Sequence, residues 1–449
     1  MMYKKSFQFF LVWAVLLTGV KGQPPLSLPQ AIRAAWSNRK NMQAGRLDSA
    51  IERLQTQALI HKYLPQLSLE YSYQYNPLLQ SSIIPVGKFN PSLPPNSTES
   101  IQFGTTWSGA AGLSLVQPLV DAEIKNQIRE SRLQERISGA TQQQAEYELA
   151  YDVAKAYINV YLSELAVKSA VVDSASTWIS WMLQKDNFDA GRLLKSDLNK
   201  ARINHNNARQ KVADGYFQVV ENKILLLFLT GKLSAGQQDL EIDSTLFSRD
   251  ISSWLALNPA PDSIPALGQL NLQGQLAALQ QNTEKARFMP TLSLKGFLGA
   301  NQFSNQLNPF ASNSWFGYSY IGLDAKLPIW TGEDKHRKLQ QLRLQQVQYH
   351  QQLGDKTDQY AQATATARIE LERSRSQLLI LQENLLLARE SLDIIQDRVR
   401  EGQESASRLT TEELEWQRLS AEYDNASKQA WLYWIDYLKA SGLLGRLWN

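Results

Sequence analysis

The chain changes its pattern of apolar and polar positions several times along its length. From Gln66 to Tyr75, Leu67, Leu69, Tyr71, Tyr73 and Tyr75 alternate with Gln66, Ser68, Glu70, Ser72 and Gln74. That period of two predicts a strand with one apolar, aromatic face and one polar face. Trp107, Gly109, Ala111, Leu113 and Leu115 form its predicted return strand, closing at Pro118. A related phrase, FMPTLSLKGFLG at 288–299, opens a second hairpin, with Leu292 and Leu294 outbound and Ile321, Leu323, Ala325 and Leu327 returning to Pro328. There the alternation fails between Gly296 and Gly299. The loops at 76–105 and 301–314 join the strands.

Elsewhere the period is longer. Leu378, Leu381, Leu385, Ala388, Leu392, Ile395 and Val399 repeat at spacings of three and four. After a pause over Glu401–Ser405, the alternation resumes at Trp416, Leu419, Tyr423, Ala426, Ala430, Tyr433 and Tyr437. Two heptad helices joined by a short glycine turn form an antiparallel hairpin. Prolines agree with this reading: all sixteen fall outside 119–258 and 329–449, and an interior proline costs a helix about 3 kcal/mol. A helix from about Gly332 to Arg400 would reach roughly 100 Å. The earlier tract has the same plan, with a turn at Phe188–Gly191 and an end at Leu229–Gly231.

The spacings repeat. From Gly191 to Gly231 is 40 residues, as from Gly402 to Gly442; Pro118 to Gly191 is 73 and Pro328 to Gly402 is 74. This is an internal duplication. It divides the chain into a leader at 1–22, a first repeat at 23–265 (N-terminal helix, β-hairpin about 65–118, helical hairpin with its tip near 188–198, connector 231–265) and a second at 266–449 (helix, β-hairpin about 290–328, helical hairpin with its tip near 399–411).

The leader MMYKKSFQFFLVWAVLLTGVKG carries Lys4 and Lys5, then an apolar run to about Val20, then Gly22. It reads as a cleaved export signal. The run is shorter than the ~20 residues of a membrane-spanning helix. Its removal takes the formal charge of +3 to about zero, so nothing asks for a nucleic-acid partner. No cysteine is present, which excludes disulfides, a catalytic thiol and thiolate metal sites. The four histidines are scattered, with no pair at metal-helix spacing. Acids alternate with bases along helix faces, and no motif joins a nucleophile, a base and an orienting group. Neither a cofactor nor an enzyme is expected.

Strands of about ten residues with one apolar and one polar face suit a membrane β-barrel, although a small soluble sandwich has the same alternation. Export, aromatics at the strand ends and the lack of a third layer favour the barrel. Four strands cannot close one, because single-chain barrels start at about eight. Two copies would give eight and three would give twelve, and only the larger leaves room for a pore.

The motifs LSLPQAIRAAWSNRKNMQ (26–43), YLPQLSLEYSY (63–73), GLSLVQPLVDAE (112–123), FDAGRLLKSDLNKAR (188–202), GLDAKLPIWTGE (322–333) and VREGQESASRL (399–409) occur in an order that resembles the TolC-like outer membrane efflux proteins. That resemblance implies a mainly α fold with a β-barrel portion: a homotrimer whose 12-stranded outer-membrane barrel continues into a 12-helix periplasmic tunnel. It also implies an exit duct of a tripartite efflux or type I secretion system, docked to a periplasmic adaptor and an inner-membrane transporter. The hairpin turns would lie at the periplasmic end, with Gly191, Arg192, Leu193 and Gly402 contacting the adaptor. Asp197, Lys200, Arg408 and Thr411 would lie at the gate. Some family members form acidic rings just beyond the second turn; here Arg408 and Thr411 stand there instead. Asp197 and Arg408 of neighbouring repeats could pair across a closed tip, a weak latch of about 0–1 kcal/mol per pair; ordinary solvated helix charges are the alternative. The competing function is a trimeric structural or adhesive coiled coil at the cell surface. The cargo stays open, though five Met, four His and no Cys disfavour a metal path.

Overall fold

The computed structural model describes residues 25–448, apart from 90, 91, 93, 233–239, 249–257 and 331. The expected signal at 1–22, and parts of the expected connector, lie outside the described residues. Helix α1 (Leu28–Asn38) is followed by α2 (Lys40–His61) and strand β1 (Gln66–Tyr75). Pro29 sits in the first turn of α1, where no backbone donor is needed, and the Ser27 N–H donates to Gln30 Oε1 at 3.1 Å. Strands β2 (Gln80–Ile84), β3 (Glu99–Phe103) and β4 (Trp107–Val120) lead into helix α3 (Ala122–Asp189) and then α4 (Lys195–Leu229). Asp121 caps α3, accepting from the Ile124 N–H at 3.0 Å. Helix α5 (Pro265–Ala286), strands β5 (Thr291–Ser304) and β6 (Trp315–Lys326), and helices α6 (Asp334–Arg400) and α7 (Ala406–Ala440) complete the order.

The two proline-free tracts thus form helical pairs of 68 and 35 residues, then 67 and 35 residues. Each helix stops by the same device. Gly191 and Gly402 have φ of +71° and +74°, a conformation that is cheap only for glycine. Behind them, the Arg192 N–H donates to the Asn187 carbonyl at 2.8 Å and the Gln403 N–H to the Arg398 carbonyl at 2.8 Å. Closure five residues back is the Schellman ending. Gly231 and Gly442 terminate α4 and α7 in the same way. The duplication read from spacing therefore recurs in the backbone.

The chain forms two compact units, each drawn from both halves. One comprises Met1–Arg46, Ala140–Gly268 and Leu353–Asn449. Its core gathers Ile32, Tyr157, Ile158, Leu226, Trp434, Tyr437, Leu438 and Leu444, all essentially removed from solvent. The Tyr157 hydroxyl lies 2.7 Å from the Asp243 carbonyl and 2.8 Å from that of Leu26; a buried phenol needs such partners. The heptad seam holds as well: Leu392 and Val399 are buried with Leu409, and Ile395 and Trp416 pack against them.

The second unit, Leu47–Gly139 and Gln269–Gln352, holds one four-stranded antiparallel sheet in the order β1-β4-β5-β6. Glu70 lies opposite Gly112, Gly112 opposite Gly299, and Gly299 opposite Tyr318. β5 continues without a break through the glycines where the alternation fails in sequence. A Cβ on Gly299 would lie 2.2 Å from the Ala111 carbonyl oxygen, and one on Gly112 2.6 Å from Phe297 Cζ. Gly299 and Gly112 stand where no larger residue fits, whereas a Cβ on Gly296 would meet only ordinary contacts of 3.6 Å and more. The first long loop also differs from expectation, since β2 and β3 pair within it as a separate two-stranded hairpin.

Candidate functional site

Two features of this fold can act: the four-stranded sheet in one unit and the helical hairpin ends in the other. The register sorts the sheet's side chains by face. Leu67, Leu69, Tyr71, Tyr73 and Tyr75 share a face with Trp107, Ala111, Leu113, Leu115, Leu294, Leu298, Ile321 and Leu323. Much of it is bare: Leu69 is 80% exposed and Ile321 74%. The opposite face carries Gln66, Ser68, Glu70, Ser72, Gln74, Ser108, Ser114, Lys295 and Asp324, with Lys295 Nζ 2.9 Å from Asp324 Oδ2.

Both outer strands leave an unpaired edge. Among the described residues β1 bonds only to β4, and β6 only to β5. Long, exposed edges of this kind are templates for further strands. Among the described residues no helix is long and apolar enough to cross a membrane, a statement that does not bear on strands.

One group on the polar face was not anticipated from the alternation. Phe297, Phe303, Phe316, Tyr318 and Tyr320 all lie there, with the Phe297 ring centroid 5.8 Å from Tyr318 and 6.3 Å from Tyr320. Phe297 roofs the Cβ-less surface of Gly112. The glycines of this region carried the signal, because an aromatic often covers a bare glycine in a sheet.

At the hairpin ends, Gly191, Arg192 and Gly402 are exposed and Leu193 is half-buried. Ser405 caps α7, its Oγ accepting from the Arg408 N–H at 3.2 Å. Asp197 pairs with Lys200 at 3.3 Å, and Arg408 with Glu412 at 2.6 Å. Thr411 Oγ1 donates to the Ser407 carbonyl at 3.0 Å. Within one chain, therefore, the described ion pairs of Asp197 and Arg408 are each made on their own helix.

Further along the hairpins lies a set of residues that the sequence reading missed. Asp173, Thr177, Ser180 and Gln184 of α3 follow the four-three-four spacing of a helix seam, and each is 2% exposed or less. Polar residues occupy positions where a coiled coil carries apolar ones. Thr177 Oγ1 lies 3.3 Å from His205 Nδ1 of α4, and Gln184 Nε2 donates to Thr410 Oγ1 of α7 at 3.3 Å. Asn204 Nδ2 of α4 donates to Glu413 Oε2 of α7 at 3.2 Å, and Glu413 is 3% exposed. Burial pushes the Glu413 carboxyl up to about 7, against the opposing hydrogen bonds of Ser180 and Asn204. Burial also pushes Asp173 up, with Lys211 at 3.6 Å acting against it, and holds the His205 imidazole below its usual range. The clue in sequence was polar residues at heptad spacing. No group of three or more metal-ligating side chains occurs among the described residues.

The model of the outer membrane efflux protein family matches residues 31–232. No curated protein matches the sequence. Among solved structures, CusC, described for its transmembrane channel formation, superposes with a TM-score of 0.74 at 17% identity, covering 92% of this chain and 91% of its own. The outer membrane protein VceC of Vibrio cholerae gives 0.72 at 14% identity, covering 92% and 96%. The outer membrane channel CmeC of Campylobacter jejuni gives 0.69 at 15% identity, covering 92% and 85%. These are likenesses of fold, and the structures matched are those of channel proteins. The chain carries the sequence pattern of the outer membrane efflux protein family over residues 31–232 and, over nearly all its length, the fold seen in CusC, VceC and CmeC.

Proposed function

We propose that this chain is the outer-membrane exit duct of a tripartite efflux or type I secretion system, conducting cargo passively from a periplasmic adaptor and an inner-membrane pump to the outside. The observation that carries the reading is the sheet: four long strands, one bare apolar face, an opposite face that is polar along β1 and carries aromatic rings on β5 and β6, and two open edges. In water such a face exposes a large apolar patch and such edges aggregate. In a bilayer the face meets lipid, and the edges must pair, because lipid satisfies no backbone group. Copies of the same chain supply the partners, β1 of one pairing with β6 of the next. Three copies give twelve strands.

A second observation supports assembly. On α6, Leu379, Ile380, Leu386, Leu387 and Ile394 are 48–67% exposed and repeat at sevenfold spacing on the side away from the hairpin's own seam. A second apolar stripe on one helix calls for a second helix partner, which a neighbouring copy supplies. The repeats at 23–265 and 266–449 then each contribute one β-hairpin and one helical hairpin to the ring.

The exposed turns suit the adaptor contact, with Gly191, Arg192, Leu193 and Gly402 as the residues gripped. Asp197, Lys200, Arg408 and Thr411 line the gate in this reading. Pairing of Asp197 with Arg408 of a neighbouring repeat would compete with the bonds to Lys200 and Glu412 seen within one chain. The purified protein in a planar bilayer is expected to give discrete conductance steps, with higher closed-state leakage in Asp197→Ala and Arg408→Ala trimers. Absence of steps after verified insertion would refute the channel. Unchanged leakage in both variants would refute the latch alone. The adhesive coiled-coil alternative gives no use to a sheet with an apolar face.

A further inference from the structure

Glu413 combines three properties in one place. It is 3% exposed, it occupies a seam position of α7, and its described hydrogen-bond partners are neutral: Asn204 Nδ2 at 3.2 Å and the Ser180 side chain. A carboxylate taken out of water needs a cation or several donors. The described charged groups on the surrounding helices are engaged elsewhere. On α3 its neighbours Ser180 and Gln184 are neutral. On α4, His205 is turned to Thr177, Lys200 to Asp197, and Arg202 to the ring of Trp181. On α7, Arg408 is held by Glu412, and on α6, which packs here through Leu392, Ile395 and Val399, Arg389 is held by Asp393.

We propose that Glu413 is a proton-operated latch of the helical hairpin end. With its proton in place it is a neutral hydrogen-bonding member of the seam between α3, α4 and α7. When the proton leaves, a buried charge without a counter-charge pushes α7 away from α3 and α4. Loosening lets water in to solvate the carboxylate, and reprotonation closes the seam again. One proton is exchanged with solvent per cycle, and no covalent bond other than O–H changes.

The direction follows from linkage. The carboxyl holds its proton up to about pH 7 in the folded chain, against an ordinary value of 4.5. The folded state therefore binds more protons between these values, and the seam loses stability as pH rises through that window. His205 acts in the opposite sense. Its imidazole is held below 6.5 by burial and by Arg209, so the seam loses stability again when acid forces a proton onto it. The two groups thus act in opposite senses, and the loss of stability with rising pH belongs to Glu413.

The test is amide hydrogen exchange on the full-length protein in detergent at pH 6, 7 and 8, corrected for intrinsic exchange. Protection over 177–184 and 406–416 is expected to fall several-fold as pH rises, with one proton setting a limit of about tenfold per pH unit. Glu413→Gln keeps shape and hydrogen bonding without the charge, and its profile is expected to be flat across the same range. Parallel profiles for wild type and Glu413→Gln would overturn the latch. Asn204→Ala, which removes a donor that favours the ionised form, is expected to move the wild-type midpoint to higher pH; an unmoved midpoint would also overturn it. That the latch controls conduction rests on the channel reading. A protein that shows the exchange profile but never conducts would refute that reading and leave the latch standing.

Discussion

At the scale of single residues, glycine and buried polar groups determine what the hairpins can do. Gly402 has φ of +74° with open space around the missing Cβ, so its substitution is opposed by backbone strain and not by collision. Gly402→Ala is expected to destabilise the hairpin end by about 1–2 kcal/mol. Gly354 lies inside α6 with equally open space and no positive φ, so Gly354→Ala is expected to stabilise by about 0.5–1 kcal/mol. Chemical unfolding followed by helical circular dichroism separates the two signs. The turn glycines were legible because spacing alone located them. The seam of Asp173, Thr177, Ser180, Gln184 and Glu413 was not, because a polar letter in a helix is ordinarily read as solvent-facing. Only tertiary packing reveals that these letters point inward.

At the scale of elements, the strands and helices were legible where side chains announce a period. β1 matched its alternation residue for residue, and α6 ended at Arg400 as the pause at 401–405 implied. β5 extends to Ser304 across the glycines where the alternation failed. A glycine has no side chain to mark a face, so the register persisted without a signal. The β2–β3 hairpin escaped notice because five-residue strands leave too few alternations. Close packing at the glycines gives an element-level prediction. Gly112→Val would place its branches against Phe297 and the backbone at 298–299, and is expected to abolish the heat-resistant assembled form on gels. Gly317→Ala meets nothing within 4 Å and is expected to retain it.

At the scale of the whole molecule, the features without a partner in one chain are the informative ones. Two strand edges, one apolar sheet face and the outer stripe of α6 each lack a mate among the described residues. Leu379→Asp with Leu386→Asp alters only the outer stripe, both side chains being exposed at 62% and 67%. The double variant is expected to keep its helical content and to lose the trimer in light scattering after size-exclusion chromatography. The inference that four strands need copies of the same chain was open to the sequence, because barrel closure is a matter of counting. The choice of three copies over two rested on room for a pore and on the family resemblance, since a single chain does not contain the ring.

The absence of cysteine from all 449 residues makes the decisive measurement a clean one. One cysteine replaces Ser72 on β1, and a second is scanned through Phe316, Tyr318, Tyr320 and Gly322 on β6. Mild oxidation in intact membranes is then read on non-reducing gels. At matching register, covalent dimers and trimers are expected, with the ladder stopping at three because the third link closes the ring. No cross-link at any register, or a ladder continuing past three, would contradict a barrel built from three copies of this sheet.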